Sequence, residues 1–391
     1  MTHAISRPHT IPYWLKVPLI AFLITRLVVF AGAYLSDAVL PMVKNEEPRG
    51  AVGIWNRWDT IWYSEIVDQG YSFNPDEKSS VAFFPLYPLL ISIIKPIISN
   101  TVAAGLLISN LAFLSALILL YRLAEAKFEN RAAAARTIFY IASFPTSFFF
   151  AAAYTESLFL LLSVGSAYAA HERRWGWAAI CGALCAATRS FGVLIWVLII
   201  LEWLSSHGWT ISTIRQPGSW AKLRDAIRTD FVTLLIICLI PVGLLAYMVY
   251  LDIKFGDPIA FITTQSDWDF GSVSGPGPIG VTIIDIQRIL SGELPSYALL
   301  NILAFWGVLG VSILVWKRLG LSYFLYCFLS VIIPMWSRSG SMIRFIIVLF
   351  PVFMMAGRWG RNVWIDRIWR IVCLPFLALF AALFVKGVFI G

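Results

Sequence analysis

Residues 101–122 read TVAAGLLISNLAFLSALILLYR, with no charged side chain before Arg122. A helix rising 1.5 Å per residue needs about 20 apolar residues to cross roughly 30 Å of hydrocarbon. This stretch meets that length and has no reason to be in water. Runs of the same character recur almost end to end, at 13–36, 137–153, 156–170, 176–188, 191–204, 231–251, 297–316, 320–335, 342–357 and 371–389. In lipid every backbone N–H and C=O must be satisfied within the segment, so each run is read as a helix. The apolar segment 81–98 is interrupted by Pro85, Pro88 and Pro96 and reads as a re-entrant or interfacial helix. The runs 176–188 and 191–204 are short, and Thr188-Arg189-Ser190 joins them near membrane depth. That pattern predicts a shallow hairpin of broken helices lining a cavity. The first run is too long for a cleaved leader and reads as the first anchor. The expectation is an all-α polytopic membrane protein, one transmembrane domain over 1–391, with about 10–11 spans.

Composition agrees. Hydrophobic residues make up 59% of the 391 and charged residues 13%, against roughly 25% charged in soluble domains. The mean hydropathy is +0.78. The net charge of +8 fits basic cytoplasmic loops better than a nucleic-acid partner. The five cysteines all lie in apolar runs without paired spacing, and the four histidines make no ligand pattern. Neither a disulfide framework nor a protein-built metal site is expected.

Charge asymmetry orients the spans. Loop 37–80 carries four basic against eight acidic residues, and loop 253–295 two against five. The stretch 205–229 carries Arg215, Lys222, Arg224 and Arg228 against Asp225, and 358–370 carries Arg358, Arg361, Arg367 and Arg370 against Asp366. The two basic stretches are therefore expected in the cytoplasm and the two long acidic loops outside.

Loop 37–80 holds the first residues that could do chemistry. From Ile54 through Trp55, Trp58, Ile61, Trp62 and Ile66 the apolar spacing fits an amphipathic helix on the membrane, with tryptophans at headgroup depth. An interfacial anchor does not need Asp59 in the middle of that cluster. A carboxylate there can take a hydroxyl proton while aromatic faces hold a sugar or headgroup. Glu65 and Asp68 follow at helical spacing and can simply face water. Farther on, Glu156 is either a solvated loop acid or a partner for a cation, and Arg189, read at membrane depth, needs such a partner. Arg344 either snorkels or meets a phosphate.

Arg57-Trp58-Asp59 with Trp62-Tyr63 and Gly70-Tyr71, followed by Phe83-Phe84-Pro85-Leu86-Tyr87-Pro88, resembles the PIG-V family of membrane mannosyltransferases. So do Pro145-Thr146, Tyr154-Thr155-Glu156-Ser157-Leu158-Phe159, Ala187-Thr188-Arg189, Phe255-Gly256-Asp257-Pro258, and Ser341 to Phe345 before Phe350-Pro351. The motifs run in the family's order over roughly residues 50–355. Eukaryotic members tend to carry His before the Trp-Asp pair and Asn-Gly after the Arg-Ser. This chain has Arg57 and Phe191-Gly192 there, which implies a prokaryotic relative.

The resemblance implies the GT-C glycosyltransferase fold, a polyprenyl- or dolichyl-phosphate mannose donor, a lipid or glycan acceptor, and inversion to an α-mannoside. It implies Asp59 as the catalytic base in the first external loop, with no cofactor. Donor phosphate and substrate contacts are then expected from Arg57, Arg189, Arg344, Glu156, Trp58, Trp62, Tyr63 and Tyr87. The setting implied is a prokaryotic inner membrane with the site outside and no nucleic-acid partner. Two other readings stay open on sequence: a GT-C transferase of other sugar specificity, and a lipid or solute transporter (flippase).

Overall fold

The computed structural model describes residues 11–41, 50–75, 77–210, 212–264, 275–337 and 339–390. Lys44, Glu46, Glu47, Arg49, Asp76, Asp267, Asp269 and Arg338, which entered the charge and motif readings, lie outside the described residues. Among the described residues the regular structure is entirely helical. The principal helices are α1 Tyr13–Val39, α2 Asp59–Gln69, α3 Leu86–Ile98, α4 Thr101–Phe128, α5 Arg131–Ser143, α6 Glu156–His171, α7 Trp175–Ala186 and α8 Ile195–Ser206. They continue as α9 Ser219–Thr229, α10 Phe231–Ile237, α11 Val242–Phe255, α12 Gly277–Leu290, α13 Leu299–Leu319, α14 Leu321–Ile332, α15 Phe350–Trp359 and α16 Val363–Val385. Four segments, Tyr13–Val39, Thr101–Phe128, Ser296–Leu319 and Val363–Val385, are long and apolar enough to cross a membrane singly. Two more are bent pairs: α10 with α11, by 48°, and Met342–Val348 with α15, by 78°.

Several boundaries differ from the sequence reading, each for a local reason. The run 137–153 is not one span: α5 stops at Ser143, and Phe144 turns extended (φ −58°, ψ 141°) ahead of Pro145, as the residue before proline must. The chain then makes a buried turn with a 3₁₀ segment Ser147–Phe150. The run 342–357 breaks at Leu349, with Pro351 in the first turn of the helix that follows. The basic stretch 358–370 is not all loop, because Asn362 caps α16 at the Trp364 amide and the helix starts there. The charged stretches 205–229 and 253–295 contain α9 and α12, which polarity had concealed. The hairpin of broken helices forms as expected. α7 ends at Ala186, Arg189 is extended, and a 3₁₀ turn Ser190–Leu194 leads into α8. The turn doubles back so tightly that a Cβ on Gly192 would sit 2.0 Å from the Cys185 carbonyl oxygen. Only glycine fits this position.

α6 is the hub. It is buried on nearly every side and packs against α4, α7 and α8. Its Ser163, Gly165, Ser166, Ala167, Ala169 and Ala170 let neighbouring backbones approach, the packing used where lipid removes any hydrophobic preference between helices. α1 and α16 pair at the periphery and turn Leu23, Leu27 and Ile371 outward. Lys386 Nζ, just after α16, meets Asp37 near the end of α1, so both helices finish at one end of the bundle. The N-termini of α4, α6 and α8 lie at that same end. At the other end Glu202 of α8 accepts Lys127 Nζ (3.0 Å) from α4 and Ser322 Oγ (2.5 Å) from α14.

Candidate active site

The loop entering α2 is held by two anchors. Trp55 is fully buried between Phe30 of α1 and Phe384 of α16. Arg57 donates from Nε (3.1 Å) and Nη2 (2.8 Å) to the Val385 carbonyl at the end of α16. Between these anchors and the helix, Trp58 adopts φ 51°, ψ −120°, a conformation costly for a residue with a Cβ. The consequence is that Trp58 leaves the core. Its ring is 39% exposed and packs on Phe389 (5.1 Å between centroids), and the next residue, Asp59, opens α2 facing a cavity. Asp59 N–H donates to the Tyr154 hydroxyl (3.3 Å), and the carboxylate sits at the positive end of the helix dipole.

Asp59 is one end of a buried ionic chain. Arg344 reaches it through Nη2 to Oδ2 (2.5 Å) and reaches Glu156 through Nε to Oε1 (2.5 Å). Glu156 Oε1 also accepts Arg189 Nη1 (2.5 Å), which touches Thr155 Oγ1 at 3.2 Å. The Arg344 guanidinium lies over the Tyr154 ring at 4.7 Å, and that of Arg189 over Phe345 at 5.3 Å. Four residues from α2, α6, the α7–α8 hairpin and the turn before α15 therefore meet in one alternating, charge-balanced row. The planar guanidinium of Arg344 is what allows one side chain to serve two carboxylates. Arg344 does not snorkel, and Glu156 is no solvated loop acid: its side chain is 1% exposed.

The cavity against this row has a volume of about 410 Å³. Asp59, Arg189 and Arg344 line it on the polar side, and Trp58, Trp62 and Tyr63 on the aromatic side. Asp59 is the one carboxylate in its wall among the described residues. Phe83 stacks on Trp62 (5.8 Å, 14°) and meets Tyr63 edge-on (5.2 Å). Burial, with the charges of Asp59 and Glu156 adding to it, pushes the Tyr63 phenol above its ordinary value, so it stays protonated and able to donate.

Three of the expected contact residues stand behind the wall: Glu156, held between Arg344 and Arg189, and with it Arg57 and Tyr87. Arg57 spends its fork on Val385 and does not line the cavity; its work is to hold the loop. Tyr87 is fully buried, with its hydroxyl on Ser109 Oγ (2.7 Å) and the Gly105 carbonyl (2.9 Å). It supports Tyr63 through an edge contact at 5.0 Å. Glu65 lies outside the cavity, as read. Several wall residues carried no signal in the sequence. Lys78 is one, a cation in an acidic loop, and Phe389 is another, four residues past the end of α16.

The profile of the mannosyltransferase (PIG-V) family matches residues 29–275. This chain belongs to that family. The match takes in Asp59, Glu156 and Arg189 and ends ahead of Arg344. Among solved structures, the chain is similar to the apo oligosaccharyltransferase of Archaeoglobus fulgidus, at 13% identity and a TM-score of 0.52. That alignment covers 95% of this chain and 56% of the archaeal one. It is also similar to ArnT of Cupriavidus metallidurans, solved with undecaprenyl phosphate, at 12% identity and a TM-score of 0.52. There the shares are 96% and 76%. These likenesses show the GT-C fold. A comparison with curated proteins gives no match. The chain is an integral membrane protein of a glycosyltransferase family.

Proposed function

We propose that this PIG-V relative transfers mannose from a polyprenyl-phosphate mannose to a hydroxyl of a lipid-linked or glycan acceptor, inverting the anomeric centre to give an α-mannoside. The observation that carries the reading is Asp59: an ionisable carboxylate in the wall of an aromatic cavity, with one oxygen held by Arg344. The acceptor oxygen attacks the anomeric carbon as the bond from that carbon to the phosphate oxygen breaks, and Asp59 takes the hydroxyl proton. Polyprenyl phosphate departs with the electron pair toward Arg189 and Arg344, whose N–H groups stand ready at the wall. Trp58 and Trp62 offer flat apolar faces for the sugar. ArnT's undecaprenyl phosphate and the family's mannosyl chemistry support a lipid-phosphate donor.

The cavity end is the outward one in this reading. Lys127, Arg131, Arg173, Arg174, Lys317 and Arg318 stand at or beyond helix termini of the opposite end, where positive-inside bias puts the cytoplasm. Purified protein supplied with labelled polyprenyl-phosphate mannose and acceptor membranes should move label into a new product, whereas GDP-mannose should give none. Use of GDP-mannose alone sinks the donor assignment. With native cysteines replaced by serine, Gln69→Cys should react with an impermeant maleimide from outside intact cells, and Lys222→Cys only after permeabilisation. The reverse pattern turns the protein over.

A further inference from the structure

A second, smaller cavity of about 290 Å³ opens at the end of the bundle away from Asp59. Lys317 and Arg318 come to it from the last turn of α13, Arg358 from the last turn of α15, and Arg361 from the turn before α16. Leu314, Met355 and Trp359 form its apolar wall. We infer that it is a binding site for the phosphate headgroup of an anionic glycerophospholipid of the leaflet at that end.

Three observations converge on this ligand. Among the described residues no carboxylate lines the cavity. The acid nearest along the chain, Asp366, is already engaged by Arg370 Nε and the Tyr140 hydroxyl, both at 2.9 Å. Complementing a helix dipole explains a cation in the last turn of α13 and of α15. It does not explain why cations from both helices and from the following turn face one cavity, where each raises the cost of the others unless an anion enters. The second observation is depth: Trp316 is 46% exposed and Trp364 69% exposed beside the site, the placement tryptophan takes at the membrane–water boundary. The third is the mixed lining. An apolar wall beside a cationic rim suits a ligand whose phosphate continues into an acyl-bearing glycerol, and basic recesses between transmembrane helices bind such headgroups. A free phosphate would use the rim and leave the wall idle.

The test is native mass spectrometry of the detergent-purified chain with added phosphatidylglycerol or phosphatidylcholine. Phosphatidylglycerol should stay bound at activation energies that strip phosphatidylcholine. The double variant Arg318→Gln/Arg361→Gln should bind it roughly 30-fold more weakly, the loss expected of two basic side chains at a lipid surface. Arg318→Lys/Arg361→Lys should keep most of the binding, and Arg224→Gln/Arg228→Gln, on α9, should leave it unchanged. Should the first double variant not fold, Lys317→Gln reads the same site with a loss of about fivefold. Unaltered binding in the site variants overturns the proposal. An equal loss in the α9 variant does so too, by showing only diffuse attraction. Competition by inorganic phosphate at concentrations equal to the lipid would reassign the cavity to a soluble anion.

Discussion

Replacing Asp59 by asparagine is expected to cut turnover by on the order of 10²–10⁴-fold while the protein still folds and binds donor. The exchange is nearly isosteric, so the packing of Trp58 on Phe389 and the start of α2 should persist. Arg344 keeps its bond to Glu156, and the amide oxygen can still accept from Nη2. What disappears is the capacity to hold a proton. A purely structural Asp59 gives the opposite pattern, with altered stability and persisting turnover. Retention of more than about a tenth of wild-type turnover would limit the loss to ~1.4 kcal/mol of barrier and remove Asp59 as the base. Glu156 could not then take its place by direct contact, since it does not line the cavity. Glu65→Gln, on the same helix and outside the cavity, should be neutral.

Replacing Glu156 by glutamine is expected to damage the fold more than the chemistry. Its Oε1 is shared by Arg344 and Arg189 at 2.5 Å each, and the side chain is almost completely buried. Removing its charge leaves the buried Arg344 with Asp59 alone and takes from the partly exposed Arg189 its ion-pair partner. Loss of one partner from a buried ion pair costs about 3–5 kcal/mol. Thermal unfolding in detergent should therefore drop well below wild type, whereas Asp59→Asn, at a position 19% exposed, should unfold close to it. If Glu156→Gln unfolds with the wild type, the ionic row is no structural element, and the juxtaposition of Asp59 with Arg344 needs another cause. Restoring the charge with Glu156→Asp should recover part of the loss, although its shorter stem cannot reach both arginines equally.

The contrast between these two carboxylates shows what the sequence could and could not disclose. Uninterrupted apolar runs made α1, α4, α13 and α16 legible, because lipid leaves a long apolar segment no alternative to helix. The pairing of Glu156 with Arg189 was also within reach, since a guanidinium at membrane depth demands a carboxylate and few were on offer. Arg344 reaching both Glu156 and Asp59 was not. That contact joins residues 285 positions apart, and no local pattern encodes a separation of that kind. Arg57 was misread for a related reason. The family resemblance set it beside Asp59 among the phosphate contacts, whereas the strained backbone at Trp58 sends the two side chains different ways, Arg57 to Val385 and Asp59 to the cavity. The breaks at Phe144-Pro145 and before Pro351 carried an explicit proline signal that the hydropathy of the surrounding runs outweighed. For Phe389, a single aromatic near the chain end, nothing in the sequence distinguishes a cavity wall from a lipid-facing ring.

The account rests on a single displacement assisted by Asp59, and the stereochemistry of the product reports on it most directly. Wild-type protein would be given a β-mannosyl polyprenyl phosphate carrying carbon-13 at the anomeric position, and the mannoside formed would be examined by NMR through its one-bond carbon–proton coupling. The account predicts an α-mannoside released together with polyprenyl phosphate, formed on the order of 10²–10⁴-fold more slowly with Asp59→Asn. A β-mannoside would contradict it, because retention requires a second displacement and a nucleophile that attacks the sugar before the acceptor does.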